Sequence, residues 1–102
     1  MSDQNKSSRL ESLLNHASNI EENIYLAITS NDNKQVDILS TEFEKIRSSI
    51  LSFPIATFSD LKQKCYFGQK LIMLDHNDPS MVTDIFATLL QDIENINNIH
   101  NP

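Results

Sequence analysis

Six apolar residues, Val36, Leu39, Phe43, Ile46, Ile50 and Phe53, follow one another at intervals of 3, 4, 3, 4 and 3. That alternation holds all of them on one stripe of an α-helix, the seam spacing of a coiled coil. A half-buried strand needs an apolar residue at every second position, and no run of that kind is long enough here. Asp37, Glu42, Glu44, Lys45 and Arg47 fall between the seam residues and form the solvated side. Pro54 ends the helix at or before Phe53, because proline disfavours the helical conformation in the residue preceding it. The spacing predicts a helix over 34–53 that must bury one face against other helices.

The same period recurs along the chain. Leu10, Leu13, Leu14, Ala17, Ile20, Ile24, Ala27 and Ile28 make one stripe from Arg9 to about Thr29. Ser7 or Ser8 can cap this helix, and Glu11 stands three residues after Ser8, as a capping box requires. Ser30, Asn31, Asp32 and Asn33 interrupt the pattern with turn and capping residues. Thr57 and Asp60 make a second capping box at the start of a helix over 58–74. Asp78 followed by Pro79 reads as an N-cap and a first helical position. The helix they open, 79–97, carries Val82, Ile85, Phe86, Leu89, Leu90, Ile93 and Ile96. The expected fold is all-α: four amphipathic helices, 9–29, 34–53, 58–74 and 79–97, in a helical bundle. One domain is expected over 9–97, with a disordered polar segment at 1–8 and a frayed tail at 98–102.

The totals bound the function classes. A chain of 102 residues buries more than about 60% of its extended surface on folding, enough for a core. Eight basic and 14 acidic residues give a net charge of −6, which disfavours passive attraction to nucleic acid or anionic lipid. A single cysteine, Cys65, excludes an internal disulfide framework. The N-terminal stretch MSDQNKSSRLES is polar and does not read as a secretory signal. No apolar run approaches the roughly 20 residues of a membrane span. A cytoplasmic protein is expected.

The segment CYFGQK, residues 65–70, holds the only cysteine and the only glycine. Leu61, Cys65, Gly68 and Ile72 follow a helical spacing and read as one packing face. A glycine inside a helix costs about 1 kcal/mol relative to alanine, and close approach of a neighbouring helix is a reason to keep it. Cys65 on that face reads as a small buried hydrophobe, since a reactive thiol needs an electropositive, partly exposed setting. Phe67, Leu71 and Leu74, with Tyr66 and Met73 beside them, make the third helix apolar over more than half its circumference. Phe67, Leu71 and Leu74 are the candidate interface residues.

One glycine cannot supply the dinucleotide fingerprint, the P-loop or the nucleophile elbow. No HExxH pair and no second cysteine suggests a zinc site. Asp75, His76, Asn77 and Asp78 have ligand chemistry. Pro79 and Phe86 nevertheless stand where an EF-hand needs further oxygen ligands, and Ser80 where it needs glycine, so the cluster reads as a connection with an N-cap. No catalytic motif, cofactor or metal site is expected. Catalysis would need polar groups converging from different helices, such as a buried His16 or Asp92 with a partner.

Charge is unevenly placed. Residues 52–74 carry Asp60 against Lys62, Lys64 and Lys70, a net of +2, and residues 75–102 carry five acids and no Lys or Arg, a net of −5. Antiparallel packing of the third and fourth helices with complementary charge accounts for this. The alternative is a phosphate-binding surface built on the three lysines.

Thr57, Leu61, Lys62, Lys64 and Cys65, followed by Leu89, Leu90, Asp92 and Ile93, trace a Thr-x-x-x-Leu-Lys-x-Lys-Cys run and a Leu-Leu-x-Asp-Ile ending. Over its second half the chain resembles small alphaproteobacterial helical proteins that carry such runs. The resemblance implies a bacterial helical protein and brings no chemistry. The functional expectation is a helical protein–protein interaction or regulatory protein that associates with itself as a homodimer or with another protein. The alternative is a nucleic-acid-associated regulator using Lys62, Lys64 and Lys70.

Overall fold

The computed structural model describes the backbone of residues 2–74 and 78–100, and the side chains of residues 9–74 and 78–99. The chain is all-α: α1 (Ser2–Thr29), α2 (Asn33–Leu51), α3 (Phe58–Leu74) and α4 (Pro79–His100). There is no strand among the described residues. The backbone falls into two compact units, Met1–Ile50 and Leu51–Pro102.

The helix ends differ from expectation by two residues or more in three places. α1 begins at Ser2, so the segment expected to be disordered is helical from its second residue. No glycine or proline occurs in residues 2–8, and none of the residues there is incompatible with a helix. α4 runs to His100 rather than 97, because the first residue that blocks a helix is Pro102. α2 ends at Leu51, two residues early, leaving Phe53 outside it.

In the first unit Ile20, Ala27 and Leu39 are buried together, with Ile24, Val36, Phe43 and Ile46 packed against them. These are the stripes read from the sequence on α1 and α2. A three-residue connection joins the helices, as in an antiparallel αα-hairpin. Asn31 adopts a left-handed φ of 58°, a conformation that asparagine tolerates better than most residues. Its N–H donates to Ile28 O, and the Asp32 N–H donates to Ala27 O. Together these bonds form a Schellman cap that satisfies carbonyls of the last turn of α1. Asp32 then opens α2: its carboxylate accepts from the Gln35 N–H at 3.1 Å, and its carbonyl accepts from Val36 N.

In the second unit the expected caps are in place. Thr57 Oγ1 accepts from the Asp60 N–H at 3.1 Å, and Asp78 Oδ1 accepts from the Met81 N–H at 3.1 Å. Asp75, His76 and Asn77 lie outside the described residues, and with them most of the cluster tested against an EF-hand. α3 and α4 run antiparallel, since Lys64 meets Asp92 while Gly68, four residues on, faces Ile85, seven residues back. A Cβ built on Gly68 would stand 2.8 Å from Ile85 Cγ2. The single glycine therefore marks a close helix crossing, as its place on a packing face implied.

Candidate functional site

The interior face of α3 consists of Asp60, Lys64, Phe67, Gly68 and Leu71. Their spacing of four, three, one and three is a helical stripe, but two members are charged. Lys64 has no solvent exposure and Asp92 on α4 is 5% exposed. The Lys64 ammonium has three N–H donors. It donates to Asp92 Oδ2 at 2.8 Å, to Leu51 O at 2.8 Å and to Phe53 O at 2.9 Å. Leu51 closes a helix, where the final carbonyls have no partner inside the helix itself. The lysine supplies the missing donor.

This cluster corrects two expectations. Lys64 cannot belong to a phosphate-binding surface, because its ammonium is buried and fully engaged, while Lys62 and Lys70 alone are exposed. Cys65, expected on the packing face, is exposed. Both corrections have one cause: the buried stripe passes through Lys64, so its neighbour Cys65 is turned outward.

The candidate interface residues separate. Phe67 and Leu71 are 7% and 4% exposed and belong to the interior, while Leu74 is 65% exposed. They do not form one accessible surface, because Phe67 and Leu71 share the stripe that Lys64 and Gly68 occupy. An aspartate in place of Leu71 would sit in the core and would not report on an interface.

The residues on which catalysis would have depended are also placed. His16 is exposed. Asp92 is buried with a partner, but that partner is the saturated Lys64. A groove of about 460 Å³ runs past Asp92 between the Leu51–Pro54 segment and α4. Its amides Gln91 and Asn95 bond each other at 3.2 Å. Its carboxylate is committed to the lysine and so is not free to act there as a base. Among the described residues no three His, Cys, Asp or Glu side chains group as a metal site would. No helix there is long and apolar enough to cross a membrane.

Three of the four large exposed apolar residues of α4 are organised. Phe86, Leu90 and Ile93 are 56%, 61% and 41% exposed, and their spacing of four and three puts them on one stripe. This stripe lies beside the Ile85–Asp92 stripe that packs on α3. Val82 and Leu89, half-buried, fill the space between the two. On α3, Leu61 and Ile72 are half-buried and Cys65 is exposed at the positions next around from Gly68. In antiparallel helices the same sense of rotation leads to the same side of the pair. These residues therefore form one continuous apolar face on one side of the α3–α4 hairpin. Lys62 lies at its α3 edge, with its Nζ 5.9 Å from the Tyr66 ring centre, and Glu94 lies at its α4 edge. Sequence periodicity had gathered seven apolar residues of α4, from Val82 to Ile96, into one set. The signal for two faces was the width of that set, broader than the stripe one partner helix covers.

No family model, curated protein or solved structure matches the chain, so likeness assigns it no function.

Proposed function

We propose that the protein is a small helical interaction protein that acts by associating with a second copy of itself through the apolar face of its α3–α4 hairpin. The carrying observation is the stripe Phe86, Leu90 and Ile93, three large apolar side chains exposed side by side at the edge of a well-packed seam. A pair of helices buries only one stripe of each, and a second apolar stripe beside it is what four-helix arrangements use to pack one hairpin on another. Contiguous exposed apolar patches of this kind mark association surfaces.

Leu90→Asp tests the reading, because residue 90 is exposed and tolerates charge without disturbing the core. The expected outcome in sedimentation is a dimeric wild type and a monomeric variant with unchanged helicity. A monomeric wild type, or a variant that associates as strongly as the wild type, would refute it.

A further inference from the structure

The charges around this face select one way for two copies to meet, an inference that rests on the self-association proposed above. A two-fold axis can lay two hairpins face to face in two ways. An axis running across the helices places α4 on α4. That arrangement is opposed by charge, since the exposed acid at the α4 edge of the face is Glu94 and residues 79–100 hold no lysine or arginine to meet it. An axis running along the helices places α3 of each copy over α4 of the other, antiparallel, and preserves height along the axis. Lys64 reaches Asp92 at 2.8 Å. Two residues back on α3 and two residues forward on α4 keep the same offset along the axis, one that a lysine side chain spans, and these are Lys62 and Glu94. Both are exposed, at the outer edges of the face. Within one chain they stand on opposite edges, whereas this two-fold brings each against its counterpart in the other copy.

We infer that the dimer is a two-fold four-helix assembly in which α3 lies over α4 of the partner subunit and Lys62 pairs with Glu94 of the partner subunit. Half-buried Leu61, Ile72, Val82 and Leu89 form its centre, with Phe86 and Leu90 closing over them. Opposite charges at the rim set orientation more than total affinity.

The test is to mix two single variants. In a Lys62→Glu homodimer both rim pairs become acid against acid, and in a Glu94→Lys homodimer both become base against base. Each variant alone should weaken association about tenfold, the combined effect of losing two attractive rim pairs and gaining two repulsive ones. In the heterodimer that an equimolar mixture forms, the two substituted positions face each other with opposite charge. The native Glu94 of the first variant meanwhile faces the native Lys62 of the second. The mixture should therefore associate with wild-type affinity. That recovery requires the pair to lie between chains and to occur twice. If wild type associates but the mixture stays as weak as the single variants, or the single variants lose nothing, this arrangement is wrong and self-association by another geometry stands. If wild type does not associate, the proposed function fails with it and the face belongs to a different protein.

Discussion

Lys64 is the side chain on which the second unit turns. A buried ammonium is tolerable only when its charge is balanced and each N–H finds an acceptor, and here Asp92 Oδ2 and two carbonyls meet both conditions at 2.8–2.9 Å. Replacement with methionine keeps much of the packing volume and leaves the Asp92 carboxylate buried without a counter-charge and two carbonyls without a donor. Lys64→Met should lower stability by about 3–5 kcal/mol, a large part of the roughly 5–15 kcal/mol of a small domain. Asp92→Asn, which leaves the buried ammonium without its counter-charge, should lower it by a similar amount. Urea unfolding followed by circular dichroism measures both, and a Lys64→Met variant within about 1 kcal/mol of wild type would contradict this role. The same residue explains the main error in reading the sequence. A lysine between Gln63 and Cys65 carries no local mark of burial, because its three acceptors lie 11, 13 and 28 residues away. Only the spacing of Asp60, Lys64, Phe67 and Leu71 hinted at it, and a reading by apolar residues alone passes over two of those four.

Among the helices, what local chemistry determines was legible. The α2 seam, the Thr57 and Asp78 caps, the turn at Asn31 and the close approach at Gly68 each follow from residue type and spacing. The faces that depend on tertiary partners were not: Leu71 entered the candidate interface although it is core, and Phe86 and Leu90 were grouped with the buried Ile85 and Ile96 in one apolar set although they are exposed. The α3–α4 crossing offers a check. Gly68→Ala gains about 1 kcal/mol of helix propensity, but its Cβ would lie 2.8 Å from Ile85 Cγ2, and Ile85 is 1% exposed with little room to move. Overpacking of this sort costs about 1–3 kcal/mol, so Gly68→Ala should be net destabilising in thermal unfolding. Ile85→Leu removes the opposing Cγ2, and the double variant should be more stable than the sum of the single changes predicts. A stabilised Gly68→Ala would show that the helices are not in close contact there.

For the molecule as a whole, each unit is a helical pair with a buried interior stripe, and the second retains a broad apolar face beside its seam. A net charge of −6 opposes indiscriminate aggregation without covering that face. Cys65 lies within it, which makes the thiol a reporter of whether the face is covered. Whether a second copy covers it is decided by the mass of the wild-type protein, measured by light scattering across a dilution series. Self-association predicts a mass of two chains at high concentration, falling toward one chain on dilution, with Cys65 alkylated faster as the mass falls. A mass of one chain at every concentration, with Cys65 alkylated at a constant rate, would contradict it.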